Sequence, residues 1–210
     1  MAAAVAEAGR RSHGIGAYAD PVLHHETIGS GEPLVVVHGS WADSRHWLRL
    51  AAELEDTFAV LLYDRRGHGR SDGAHTSIGD DVDDLAGLLT GPAHMVAGSF
   101  GGSVALRLAT SRPDLLQSLS LHEPALPGVL GGAPGGGGQQ TRDMDPKAFA
   151  ESSLGEGSPF FRAIADALAG ALPDAEIRTV EGAGHLPHLT HAREYAGVLR
   201  EFASAAAARR

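Results

Sequence analysis

Short apolar runs alternate with longer helical patterns along the 210-residue chain. Runs of strand length lie at 34–38 (LVVVH), 58–63 (FAVLLY), 94–98 (HMVAG), 118–122 (SLSLH) and 176–180 (EIRTV), and the alternating stretch 22–29 suits an edge strand. Helical patterns cover about 43–54, 78–89, 99–111, 160–171 and 191–203. This rhythm predicts an α/β fold, in which a mostly parallel central sheet is covered by helices on both faces.

Composition excludes several classes of protein. The formal net charge of −9 is unfavourable for contact with nucleic acid phosphates, and the absence of cysteine rules out disulfides and thiolate chemistry. No stretch approaches the ~20 apolar residues of a membrane span, so we expect a soluble, cytoplasmic protein without a membrane partner. We expect residues 1–17 to be a disordered tail and 18–210 a single domain, with 124–158 as a shortened, Gly-rich lid or linker.

The segment VAGSFGGSVAL places Ser99 between a strand and a helix. Small residues around Ser99 allow a tight turn that exposes its hydroxyl above the carboxyl end of the sheet, as in the G-x-S-x-G nucleophile elbow, with Ala97 replacing the first glycine. The N-terminus of the following helix would aim the amide of Phe100 at a developing oxyanion. A glycine-rich turn without chemistry is the alternative interpretation.

Two further motifs follow the first two buried strands, HGSW at 38–41 and YDRRGHGRSD at 63–72. With these motifs the chain resembles the α/β-hydrolase superfamily, especially its branch of lid-bearing esterases, peroxidase-like enzymes and carbon–carbon-bond hydrolases, with a truncated lid region. The resemblance covers about 22–126 and 158–203. It implies that the backbone N–H of Ser40 is the second oxyanion donor, and that His38 and His68 are packing residues.

The motif EGAGHLPHLTH supplies the histidine that the resemblance requires after the last strand, and His185 is the candidate general base. An imidazole that titrates near neutral pH can both accept and return the serine proton. The neighbouring His188 and His191 raise the alternative of a zinc site. The helical two-His, one-Glu pattern of zinc peptidases is absent, so we expect no metal and no cofactor.

The acidic member of the expected triad departs from the usual pattern. Ser158 occupies the place where the resemblance leads us to expect an aspartate, and a serine cannot stabilise an imidazolium. Glu123, in SLHEPAL, preserves the chain order Ser, acid, His and is the candidate orienting acid, with Glu156 as the alternative. A solvated strand-end residue is the other interpretation of Glu123.

A second departure concerns the sheet. The segment KAFAESSLGE has only a weak strand pattern. If it forms no strand, the sheet lacks the strand that would lie between 118–122 and 176–180. We predict a serine hydrolase that acts on an ester-like or other acyl bond of a small molecule, with an open pocket that is apolar around Trp41, Phe100 and Leu186. The alternative is a catalytically weak or inactive protein of the same fold that binds a small ligand.

Overall fold

The computed structural model describes residues 22–130, 159–172 and 174–209. The predicted tail at 1–17, the lid segment from 131 to 158 and Glu156 lie outside the described residues. The central sheet has five strands in the order β1-β3-β2-β4-β5. Strand β1 is antiparallel to β3, and the other pairs are parallel. The strand bounds are β1 His25–Ile28, β2 Glu32–Val37, β3 Phe58–Tyr63, β4 Ala93–Gly98 and β5 Leu116–His122.

Helices connect the parallel strands and continue after the sheet. Their bounds are α1 Leu48–Leu54, α2 Ile78–Leu88, α3 Phe100–Ser111, α4 Pro159–Ala171, α5 Pro187–Thr190 and α6 Ala192–Ala208. Short 3-10 helices cover Ser44–Trp47, Pro113–Leu115 and Pro127–Leu130. None of the helices in the described ranges has the length and apolar character needed to cross a bilayer.

The sheet separates two layers of core, because successive residues of a strand face opposite sides. Leu34 and Val36 of β2 pack with apolar residues of α1 and α6, whereas Val35 and Val37 pack with residues of α2 and α3. Burial on both faces explains the continuous apolar run that marks this strand in the sequence. The predicted α/β class, with helices on both faces of a mostly parallel sheet, is confirmed.

The predicted strand at 176–180 is wrong. The structure has no strand there, and residues 176–179 are exposed. A parallel strand needs a neighbour to accept and donate its backbone hydrogen bonds. The segment that would have to lie beside β5, at 147–156, falls outside the described residues, and within the described chain β5 is the last strand of the sheet.

Candidate active site

Ser99 lies in a sharp turn between β4 and α3. Its backbone has a φ of 51° and a ψ of −124°, a conformation that is costly for a residue with a side chain. Hydrogen bonds hold the turn in place: the N–H of Ser99 donates to the carbonyl of His122 at 3.2 Å, and its carbonyl accepts from Ala125 at 2.9 Å. The strained turn that the sequence predicted is therefore present and is tied to the end of β5.

The glycines around Ser99 are required by close contacts. A Cβ atom at Gly98 would lie 2.3 Å from Cε1 of His122, and one at Gly101 would lie 2.1 Å from the carbonyl oxygen of Val37. Carbon atoms do not approach other heavy atoms this closely without displacement of one of them. The small residues thus allow α3 to start directly against β2 and β5.

His185 lies in the segment that precedes α5, and its side chain is almost fully buried. Its Nδ1 atom is hydrogen bonded to the carboxylate of Glu123, and its ring stacks on that of Phe161 at a centroid distance of 4.9 Å. A carboxylate only accepts hydrogen bonds, so Nδ1 carries the proton and the lone pair of the neutral ring is on Nε2. The carboxylate that contacts the ring of His185 within the described residues is therefore that of Glu123.

Ser99 and His185 line one cavity of about 240 Å³. Ser40, Trp41 and Leu186, which the sequence assigned to the oxyanion donor and the pocket, line the same cavity. Within the described residues no hydrogen bond joins the Ser99 hydroxyl to the His185 ring. Such bonds are often long in free enzymes and shorten when substrate binds.

The loop after β2 orients the peptide group between Gly39 and Ser40. The carbonyl of Gly39 accepts a hydrogen bond from Nδ1 of His38 at 2.9 Å and another from the guanidinium of Arg65 at 3.1 Å. In a trans peptide the N–H points opposite to the carbonyl. The N–H of Ser40 therefore points away from Arg65, and Ser40 is one of the residues around the cavity.

Arg65 contacts the loop that follows β2, and nothing in the sequence marked it as a functional residue. It is buried, pairs with Asp81 at 3.2 Å and donates to the carbonyl of His38 at 3.1 Å. Its guanidinium also lies 4.9 Å from the centre of the Phe100 ring. The side chain of Phe100 thus packs on Arg65 and is not part of the cavity wall, contrary to the predicted pocket, while its backbone N–H begins α3.

The two histidines expected to pack rather than react have structural contacts. Nε2 of His38 accepts a hydrogen bond from the N–H of Arg65 at 2.9 Å, and burial lowers the pKa of His38 to about 3. His68 is hydrogen bonded to the carbonyl of Arg66 at 3.0 Å, and burial lowers its pKa as well. Both rings are therefore neutral at physiological pH, and both make hydrogen bonds with the turn that follows β3.

His188 and His191 do not form a metal centre with His185. Over residues 22–130, 159–172 and 174–209, no group of three or more His, Asp or Glu side chains has an arrangement suited to a metal ion. The ring of His188 stacks on Trp47 at 3.9 Å, and that of His191 contacts the hydroxyl of Thr190 at 2.9 Å.

Comparison with known proteins identifies the fold family. A sequence model described as the alpha/beta hydrolase family matches residues 34–170. The lipase LipV of Mycobacterium tuberculosis is 39% identical over 111 residues, which cover 50% of this chain and 42% of the lipase. The uncharacterized hydrolase YraK of Bacillus subtilis is 32% identical over 118 residues, covering 52% of this chain and 44% of that protein.

A solved structure supports the fold over most of the chain. A thermophilic esterase from Thermogutta terrifontis superimposes with a TM-score of 0.71 at 22% identity, covering 88% of this chain and 93% of the esterase. At this identity the likeness shows the fold alone. The alignments with the curated relatives span less than half the length of those proteins. Because the family model matches well over half of the chain, the protein belongs to the alpha/beta hydrolase family.

Proposed function

We propose that the protein is a serine hydrolase that cleaves an ester-like acyl bond of a small molecule. Ser99 is the nucleophile, His185 the general base and Glu123 the acid that orients the base. The observation that carries this proposal is the hydrogen bond between the Glu123 carboxylate and Nδ1 of His185, beside the cavity that Ser99 lines. This contact leaves Nε2 as the proton acceptor, which is what activation of a serine hydroxyl requires.

The reaction follows from these positions. Nε2 of His185 takes the proton of the Ser99 hydroxyl while Oγ bonds to the carbonyl carbon of the substrate. The oxyanion that forms accepts hydrogen bonds from the N–H groups of Ser40 and Phe100. The C–O bond to the alcohol then breaks, and the alcohol leaves with the proton from His185. Water, deprotonated by the same ring, releases the acid from Ser99 in the same way.

The cavity indicates the kind of acyl group that would bind. It is small, about 240 Å³, and its lining has no Asp, Glu, Lys or Arg side chain among the described residues. Trp41 and Leu186 contribute apolar surface, and a cavity of ~150 Å³ already holds a benzene ring. We therefore propose short or aromatic, uncharged acyl groups. The names of relatives agree with ester chemistry: besides the lipase, a pimeloyl-[acyl-carrier protein] methyl ester esterase of Nitrosomonas europaea is 36% identical over 100 residues.

A second candidate is a ligand-binding protein of the same fold without catalytic activity. It is favoured by the missing strand at 176–180, which leaves the segment before His185 outside the sheet.

A fluorophosphonate probe separates the two candidates. Attack by Ser99 on phosphorus displaces fluoride and leaves a covalent adduct, and it needs the same base and oxyanion donors as ester hydrolysis. We expect stoichiometric labelling of the wild type and none of Ser99→Ala, with Ser103→Ala as the control that labels normally. A folded wild type that resists labelling would leave only the binding protein.

A further inference from the structure

The segment that carries His185 lacks the support of a strand. Residues 176–180 are not in the sheet, and 176–179 are exposed. A misplacement of about 1 Å between reacting groups can cost ~100-fold in rate. If His185 is the base, contacts other than backbone pairing must therefore hold it near Ser99.

His122, the last residue of β5, makes such a contact. Its Nε2 atom lies 3.1 Å from the backbone carbonyl oxygen of His185, and its Nδ1 atom lies 3.3 Å from the hydroxyl of Tyr195 on α6. The carbonyl can only accept, so Nε2 of His122 carries the proton and Nδ1 accepts from the tyrosine. Two partners from different elements thus fix both the orientation and the tautomer of this ring.

The surroundings of His122 leave its ring little freedom. Cε1 lies directly over Gly98, where a Cβ atom would come within 2.3 Å, and the rings of Trp47 and His188 lie at 5.7 and 5.5 Å. Burial, with the nearby His185, lowers the pKa of His122 to about 3. The ring is therefore neutral at physiological pH, and both of its nitrogens are engaged by the His185 carbonyl and the Tyr195 hydroxyl, so its contribution is to position other groups.

The backbone of His122 adds a second connection. Its carbonyl accepts the N–H of the nucleophile Ser99 at 3.2 Å, and the next residue, Glu123, binds Nδ1 of His185. One turn at the end of β5 therefore contacts the backbone of the nucleophile, the backbone of the base and the ring of the base.

We propose that His122 is a positioning residue, whose ring N–H holds the carbonyl of His185 and thereby keeps the imidazole of the base between Glu123 and Ser99. The expected effect of His122 on the reaction rate rests on the proposed function. The anchoring of the His185 segment does not depend on that function, and it can be measured without activity.

Two substitutions test the contact. His122→Phe keeps a ring but removes both nitrogens, whereas His122→Gln retains an N–H that can reach the carbonyl. With a p-nitrophenyl ester of a short acid we expect kcat of the Phe variant to fall ~10- to 100-fold with KM within about twofold, and the Gln variant to recover most of the loss. If His122→Phe does not fold, His122→Asn, whose amide is too short to reach the carbonyl, takes its place.

A double variant separates positioning from general damage. Added to His185→Ala, the His122→Phe change should leave the residual rate unaltered, because residues that act as a unit are not additive. An unchanged kcat in the single variant, or an equal further loss in the double variant, overturns the proposal.

Backbone hydrogen exchange in residues 181–191 supplies a readout independent of activity. We expect faster exchange there in the Phe variant and near wild-type exchange in the Gln variant. If the wild type neither hydrolyses esters nor reacts with a fluorophosphonate, the proposed function fails while this exchange still reports the anchor. Exchange in the Phe variant that matches the wild type shows that His122 does not hold the segment.

Discussion

Residues 22–130 and residues 159–209 place their contributions to the candidate site by different means. The first region contains all five strands, and its candidate residues Ser40, Ser99 and Glu123 each follow a parallel strand at the carboxyl edge of the sheet. The second region contributes no strand within the described chain, and its helix α4 fully buries only Ile164. His185 is instead positioned by contacts with Glu123, His122 and Phe161.

The candidate nucleophile and the candidate base are therefore held in place by different kinds of contact. The nucleophile turn is held by backbone hydrogen bonds of Ser99 with His122 and Ala125, and β4 before it is paired on both sides. The base depends on a few side chain contacts, two of them from Glu123 and His122 of the first region, and loss of one of these two should change rate more than stability. The second region still needs the first for its core, because Tyr195 and Leu199 of α6 pack against the sheet.

The largest expected effect comes from cutting the contact between the two regions at Glu123. In Glu123→Gln the side chain keeps its shape but loses the charge that stabilises protonated His185. We expect kcat on a p-nitrophenyl ester to fall ~10³- to 10⁴-fold, as for loss of a triad carboxylate elsewhere, with little change in unfolding.

Glu156→Gln is the matched control, since Glu156 is the alternative acid in the sequence. We expect wild-type turnover in that variant. A loss of turnover in Glu156→Gln with none in Glu123→Gln would transfer the orienting role to Glu156.

Two helical glycines, one in each region, show how well each region tolerates an added methyl group. Gly101→Ala in α3 would push a Cβ atom to within 2.1 Å of the Val37 carbonyl oxygen. At Gly197 in α6, apart from the adjacent residues and the backbone of its own helix, no atom of the described chain lies within 4 Å of the same position. We expect Gly101→Ala to lower the free energy of unfolding by at least ~2 kcal/mol. Gly197→Ala should raise it by about 0.5–1 kcal/mol, because alanine favours the helix.

Urea unfolding of both variants checks this comparison. Equal effects at the two sites would show that the close packing of α3 against β2 contributes little to stability.

Buried neutral histidines make stability depend on pH in both regions. Burial lowers the pKa of His38 and His122 to about 3 and that of His188 to about 2. The unfolded chain binds these protons near pH 6.5 and the folded chain does not. Stability is therefore complete above about pH 6.5 and falls as the pH drops from there towards 3, by about 1.4 kcal/mol per pH unit for each histidine.

His188→Phe tests the contribution of the second region to this slope. The phenyl ring can keep the stacking on Trp47, seen at 3.9 Å, and cannot be protonated. Urea unfolding between pH 4.5 and 6 should give a slope smaller by about 1.4 kcal/mol per pH unit than in the wild type. The same slope in both proteins would mean that His188 is not held neutral by the fold.

The sequence predicts the first region better than the second, for physical reasons. Buried parallel strands such as β2 and β3 contain continuous apolar runs, and the turn at Ser99 is marked in the sequence by the small residues around it. Whether 176–180 forms a strand depends instead on a neighbour in the sheet, which its own residues do not reveal. The contact of His122 with His185 joins residues 63 positions apart, and only the fold brings them together.

In the proposed mechanism Ser99 and the amides of Ser40 and Phe100 face one carbonyl group of the substrate, and His185 faces the hydroxyl of Ser99. A crystal structure of the protein after reaction with a small fluorophosphonate shows whether these groups have that arrangement. We expect an adduct on Ser99 whose phosphoryl oxygen lies about 2.7–3.1 Å from the N–H groups of Ser40 and Phe100, with Nε2 of His185 facing Oγ. An adduct on another residue, or a phosphoryl oxygen turned away from both amides with the imidazole out of reach of Oγ, would contradict it.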